Sequence, residues 1–253
     1  MSAAADSPLV MALITDPTTT SVGRLPMRDS GTLHADAGSA RSGAVDGRHV
    51  RVLDGTWSFR LVDRPSEVAR ELLVGGIEAD GWFPITVPGA WTLQGSEATG
   101  DGRRAFEPPH YTNVIMPFDA DPPAVPERNP TGVYRTTVSV PRTWAGRRVV
   151  LRVGAAESVV QVFVDGEFVG GGTDSRLPSE FDLGPFVRPG RRCELALVVT
   201  KWSAQTWVED QDQWWHGGIQ RSVTLYSTPQ DHLSRVHLLP GLEADRSTGT
   251  LHV

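Results

Sequence analysis

Between Val133 and Thr228 short apolar runs recur between turn signals, and this repetition constrains the fold more than any other feature. In VYRTTVSV, Tyr134, Thr136, Val138 and Val140 fall on one face of an extended chain, with Arg135, Thr137 and Ser139 on the other. RRVVLRV repeats the alternation, setting Val149, Leu151 and Val153 against Arg148 and Arg152. SVVQVFVDGEFVGGG is a near-continuous apolar strand that turns at Asp165-Gly166 into a hairpin partner. Its segment Val159 to Val164 is polar only at Gln161, which predicts burial on both faces. CELALVVTKW and RSVTLYST supply two more strands. Closely spaced strands with almost no helical period predict an all-β fold, an antiparallel β-sandwich of jelly-roll type.

Upstream, DGTWSFRL alternates Trp57, Phe59 and Leu61, and PITVPGAW gives a brief strand ended by Pro88. Val68, Leu72 and Leu73 have helical spacing in a run long enough only for a short helix or turn. Residues 1–47 are rich in Ser, Thr, Ala, Gly and Asp without sustained period, and read as an extended or disordered arm. A sandwich domain is expected over 48–229. Strand pattern in RVHLL and TLHV predicts that 230–253 opens a further β-domain.

A net charge of −6 offers no basic stripe for nucleic acid. Cys193 is the only cysteine, so neither an intrachain disulfide nor a cysteine-based zinc site can form. The best apolar run near the start, LVMALI, lacks the basic flank and length of a secretory signal, and no segment has the apolar length of a membrane span. A cytoplasmic setting, with no membrane and no nucleic-acid partner, is therefore expected. Lys201 is the only lysine, which reads as a consequence of an arginine-rich composition.

Two regions point to chemistry. Thr92 to Pro130 is a long Pro- and Gly-rich stretch, and loops of this length inside a compact domain are usually functional. Lys201 to Arg221 holds Trp202, Trp207, Trp214 and Trp215 around Glu209, Asp210 and Asp212. Aromatic faces beside acceptor-only oxygens suit a sugar, whose C–H faces stack while its hydroxyls donate. Asp210 and Asp212 would lie about 7 Å apart on one face of one strand, and cannot flank a glycosidic bond as a catalytic pair. His232 and His237 lack helical metal-ligand spacing and read as packing or surface residues.

DGTWSFRL, VPGAWTLQG, YTNVIMPF, PPAVPERNPTGVYR, DSRLPSEFDL and VEDQDQWWHGGIQR stand in one order from about Leu53 to Pro229. Together they resemble the N-terminal domain of the large β-galactosidases of glycoside hydrolase family 2. The resemblance implies a galactose-binding-like jelly roll, followed by the start of an immunoglobulin-like domain at 230–253. It implies that Asn113, in YTNV, reaches the galactosyl group. It implies that Asp212, the second aspartate of EDQD, contacts the sugar and binds Na⁺. No catalytic residue is expected in this chain, because the family's two retaining glutamates and its Mg²⁺ ligands lie on a (β/α)₈ barrel much further along. Three readings follow: a truncated or fragmentary β-galactosidase, a stand-alone carbohydrate-binding module, or the noncatalytic subunit of a split enzyme. The implied partners are a β-galactoside and the barrel-bearing domains or chain, in a parent that is a homo-oligomer. WWHGG replaces the W-R-x-S-G of the best-known branch, and points to a different branch.

Other motif residues read as structural. Glu209 and Asp210 are expected as supports, Arg176 and Glu180 as a pair fixing the DSRLPSE loop, Asn129 to Gly132 as a type I turn, and Trp214 and Trp215 as packing residues.

Overall fold

The computed structural model describes the chain except for residues 1–6, 29–30, 32–33, 35, 44–46, 76–80, 96–105 and 114. The first strands are β1 (Ser21–Val22), β2 (Val50–Val52), β3 (Gly55–Val62), β4 (Phe83–Val87), β5 (Gly89–Ala90) and β6 (His110–Thr112). The central ones are β7 (Thr131–Ser139), β8 (Arg148–Glu157), β9 (Val159–Val164), β10 (Glu167–Gly172), β11 (Ser179–Asp182) and β12 (Arg192–Thr200). Last come β13 (Gln213–Trp215), β14 (Gly218–Thr228), β15 (Leu239–Leu242) and β16 (Gly249–His252).

These strands form the expected antiparallel sandwich. One sheet has seven strands in the order β1-β10-β9-β12-β7-β3-β4. The other has five, in the order β11-β8-β14-β2 with β5 also on β14. The alternating residues meet between them: Tyr134, Val138, Leu195 and Leu197 from the first sheet against Leu151, Val153, Val223 and Leu225 from the second. The hairpin between β9 and β10 turns where the sequence predicts, with Asp165 and Gly166 both at positive φ (49° and 77°) as a type I′ turn requires.

Strand β9 is buried at all six residues, and its two faces are covered differently. Val160, Val162 and Val164 enter the inter-sheet core. On the outer face Phe163 packs with Leu9, Val68 and Leu73, and Val159 with Leu13 and Ile14. Gln161, the one polar residue, accepts a hydrogen bond from the Val10 amide at 2.8 Å. The N-terminal arm thus supplies a second cover. Leu9, Leu13 and Ile14 are buried by it, and β1 pairs along the edge of β10. Its low-complexity composition hides this role, because three buried residues within a single turn and its approach leave no period to read. The 65–74 segment contributes two 3₁₀ turns, Pro65–Glu67 and Arg70–Leu72, rather than a helix.

Three local expectations differ from the structure. Asn129 to Gly132 is no turn: Thr131 and Gly132 already belong to β7. Asn129 is a buried pin instead, donating to the Trp202 carbonyl at 2.8 Å and accepting from the Trp202 amide at 2.9 Å. Arg176 and Glu180 do not pair. Glu180 accepts two bonds from Arg28, at 2.9 and 3.0 Å, while Arg176 donates to Glu157 at 3.2 Å. In RVHLL only Leu239 enters a strand, where β15 pairs with β16 as an exposed hairpin.

Candidate functional site at the 106–113 and 201–217 loops

The long loop before β7 and the loop after β12 meet in a small antiparallel ribbon of β6 and β13. Its register sets Thr112 opposite Gln213, Tyr111 opposite Trp214 and His110 opposite Trp215. Asn113 and Asp212 flank the last of these pairs, each in a bend just outside its strand. These two residues, ninety-nine apart in sequence, are the pair that the sequence resemblance singles out.

Side chains alternate across the ribbon. Thr112 and Trp215 face the protein, where the Trp215 indole donates to the Thr112 hydroxyl at 3.0 Å and packs edge-on against Trp202. Tyr111, Asn113, Asp212 and Trp214 occupy exposed positions. The Tyr111 hydroxyl donates to Asp212 Oδ1 at 2.6 Å, and the Tyr111 and Trp214 rings lie 5.5 Å apart at 42°. That bond to a carboxylate holds the Tyr111 phenol protonated, its pKa raised above the usual value. The expectation that both Trp214 and Trp215 pack therefore holds for Trp215, 2% exposed, and fails for Trp214, 55% exposed.

Beneath the ribbon sits a feature that sequence reasoning missed. Lys201 is fully buried and its ammonium lies 2.9 Å from Glu107, itself buried, and 3.3 Å from His110 Nδ1. The ammonium also sits 4.8 Å from the Trp202 ring centre. Burial lowers the Lys201 pKa despite the Glu107 carboxylate. Burial first, and then the Lys201 charge, lower the pKa of His110. The Lys201 ammonium can only donate, so His110 Nδ1 is the acceptor of their contact. The signal available in the sequence was the uniqueness of this lysine.

A second network ties the neighbouring loops together. Glu157, 2% exposed, accepts from Arg176, from the His216 amide at 3.2 Å and from Gln220 at 2.6 Å. Its burial still raises its pKa. His216 is lowered by burial, and its Nδ1 meets the Thr92 hydroxyl at 2.8 Å. Gly217 follows because a Cβ there would overlap the Trp91 ring. Glu209 accepts from the Ser175 amide at 3.0 Å and from the Ser175 hydroxyl, so it supports the EDQD loop from the DSRLPSE loop. Asp210 is exposed.

As a metal donor set, the ribbon offers the Asp212 carboxylate, one oxygen of which is engaged by Tyr111. Among the described residues no three His, Cys, Asp or Glu side chains converge to hold an ion. The set fits a share in a hard-cation site and does not complete one. No described helix is long and apolar enough to cross a membrane.

Comparison with known proteins identifies the family. The family described as glycosyl hydrolases family 2, sugar binding domain, matches residues 50–229. A β-galactosidase of Photobacterium profundum is 37% identical over 212 residues, 83% of this chain and 20% of that protein. A β-galactosidase of Klebsiella pneumoniae is 39% identical over 238 residues, 93% of this chain and 22% of that protein. The chain thus spans about a fifth of the length of these curated relatives. Among solved structures, an uncultured Clostridium sp. β-glucuronidase superposes with a TM-score of 0.58 at 18% identity, over 82% of this chain and 34% of that one. The Faecalibacterium prausnitzii β-glucuronidase gives 0.53 at 21% identity, over 76% and 33%. At such identities these two likenesses speak for the fold alone. The chain belongs to glycosyl hydrolase family 2, and residues 50–229 are its sugar-binding domain.

Proposed function

We propose that this chain is the substrate-contacting N-terminal part of a family 2 β-galactosidase, and that Asn113 and Asp212 form one side of its galactosyl site. The reading is supported by the position of the two residues, both exposed and each directly flanking the last pair of the β6–β13 ladder, Thr112 opposite Gln213. Their chemistry is complementary. An amide both donates to and accepts from hydroxyls, whereas a carboxylate accepts only. Galactosidase rather than glucuronidase is favoured by the β-galactosidase relatives at 37% and 39% identity.

Asp212 is also the residue that would hold Na⁺. A bound Na⁺ would supply a fixed positive charge that orients sugar hydroxyls. This chain's own part is to hold the carboxylate in place through the Tyr111 hydroxyl. For Mg²⁺ the family resemblance implies ligands on the parent's barrel rather than in this chain. The retaining hydrolysis implied by the β-galactosidase relatives needs two carboxyls about 5–5.5 Å apart across the scissile bond. Asp210, which ends the helical turn Thr206–Glu209, and Asp212, just before β13, stand two positions apart in one loop rather than on a strand, and do not make such a pair. The resemblance to family 2 β-galactosidases implies that this chemistry belongs to a barrel outside these 253 residues, in the same protein or on a partner chain.

A half-site predicts weak binding. One carboxylate leaves most of a cation's roughly six oxygens to other donors, and an exposed ribbon lacks the enclosure that supports small-molecule affinity. Calorimetry of the isolated chain should give galactose binding no tighter than about millimolar, roughly −4 kcal/mol, with no hydrolysis of a chromogenic β-galactoside. Adding the remaining domains should give Na⁺-dependent hydrolysis that Asp212→Ala weakens. Micromolar galactose binding by this chain alone would overturn the half-site and favour a stand-alone carbohydrate-binding module.

A further inference from the structure

We propose that the outer face of the seven-stranded sheet carries a separate saccharide-binding surface, a groove across β3, β7 and β12 that takes an uncharged disaccharide or longer saccharide. It does not depend on the galactosyl reading of Asn113 and Asp212. Glu194, in the groove, stands seven residues before Lys201, beneath the ribbon, which is roughly 20 Å at the rise of an extended strand.

The cover on this face stops part-way across the sheet. Leu9, Val68 and Leu73 pack over Val133, Phe163 and Ala196. Next to that cover, the pleat that sends Trp57, Tyr134, Val138 and Leu195 into the core turns Thr56, Ser58, Arg135, Thr137 and Glu194 outward. The ladders set Ser58 opposite Arg135 and Glu194 opposite Thr137. With Trp82, just before β4, these residues line a groove of about 640 Å³, within the roughly 300–1,000 Å³ of small-molecule sites.

Arg135 is its centre. The side chain is 4% exposed, and its Nη2 donates to Glu194 at 2.8 Å and to the Gly75 carbonyl. Glu194 also accepts from the Gly75 amide at 3.0 Å. Nη1 is buried and has no hydrogen-bond partner among the described residues. The half-buried Trp82 ring lies over the guanidinium, 5.3 Å from the ring centre. A buried donor without an acceptor is costly, and a ligand oxygen that turns the Trp82 ring aside supplies one.

The ion pair selects the charge of the ligand. Arg135 and Glu194 are the only charged side chains lining the groove among the described residues, and they neutralise each other. The groove therefore has no surplus charge with which to draw a free anion or cation. What it offers is three hydroxyls that donate and accept, one buried donor and an indole ring. An uncharged ligand with many hydroxyls and C–H faces answers all of these, which is the chemistry of a saccharide.

The test follows the 253-residue chain by NMR, with lactose, cellobiose and maltose as probes and sodium acetate as the anionic control. The Trp82 Nε1–H is assigned as the indole signal lost in Trp82→Phe. At least one disaccharide should move it saturably, half-saturating at about millimolar, and acetate should not. Ser58→Ala combined with Thr137→Val removes two hydroxyls from the half-buried and exposed positions of the groove, and should raise that half-saturation about fivefold while leaving the urea midpoint unchanged. Asp212→Ala should leave the Trp82 response as it is. A Trp82 signal that none of the three disaccharides moves would overturn the proposal, as would movement by acetate alone. A response lost in Asp212→Ala would place the binding at the ribbon and overturn the groove. A double variant that binds like the parent would do the same.

Discussion

At the scale of single residues, Lys201 decides the most. Its ammonium is buried against Glu107, and a charge taken from water is tolerated only while its partner is present. Lys201→Ala would leave the Glu107 carboxylate buried and unpaired, a loss of about 3–5 kcal/mol of stability by urea denaturation. Lys201→Met combined with Glu107→Leu should restore most of it, because neither charge remains. The same cluster sets a pH dependence. Burial, Lys201 and Arg128 lower the pKa of His110 against the opposing pull of Glu107, and burial, Lys201 and Arg176 lower that of His216. Below the ordinary imidazole value of about 6.5, the unfolded chain takes up protons that the folded one refuses. The contribution of these two histidines to the unfolding free energy should therefore decrease as pH falls below that value toward the depressed folded values, and stay level above it. Replacing His110 with Phe should shrink the slope of urea midpoint against pH in that window. A slope unchanged in the variant would exclude His110 as a source.

Elements differ in how much of their environment their own sequence declares. Strand β9 declares all of it: apolar residues at both odd and even positions require cover on two faces, and the structure supplies two. Val162→Asp places a charge in the inter-sheet core with no partner and should abolish cooperative unfolding in circular dichroism. A variant melting within a few degrees of the parent would contradict this placement of β9. The β6–β13 ribbon declares almost nothing. Three-residue strands carry no period, so Trp214 and Trp215 look alike in sequence while the pleat sends one outward and the other into the protein. Asn129 is a similar case. A Pro and a Gly close behind it imitate a turn, whereas its amide spends both its donor and its acceptor on Trp202. What singled out Asn113 and Asp212 as candidates was the run of six motifs in one order, since nothing in the local pattern joins residues so far apart. Lys201 and Glu157 stayed illegible because burial of a charge depends on partners from other loops.

Across the whole molecule, the two ends of the chain relate to the sandwich in opposite ways. Leu9, Leu13 and Ile14 are buried on the outer face of the seven-stranded sheet, and β1 covers the edge of β10. The β15–β16 hairpin instead keeps Leu239, Leu242 and Leu251 more than half exposed. Composition points the other way, since the arm looks dispensable and the hairpin is rich in apolar residues. Each fully buried aliphatic side chain contributes roughly 1.5–3 kcal/mol. Deleting residues 1–28 removes three of them and uncovers Phe163, Val159 and Gln161 besides. That deletion should lower the unfolding free energy by several kcal/mol, a large part of the roughly 5–15 kcal/mol typical of a domain. Deleting residues 236–253 removes side chains that are exposed except for the half-buried Thr250, with the bonds inside one hairpin, and should change stability by about 0.5 kcal/mol or less. Urea titration of both truncations by tryptophan fluorescence checks the contrast. An arm deletion as stable as the full chain would show that the outer face of β9 needs no cover, and the apolar residues on that face would then be without a physical reason.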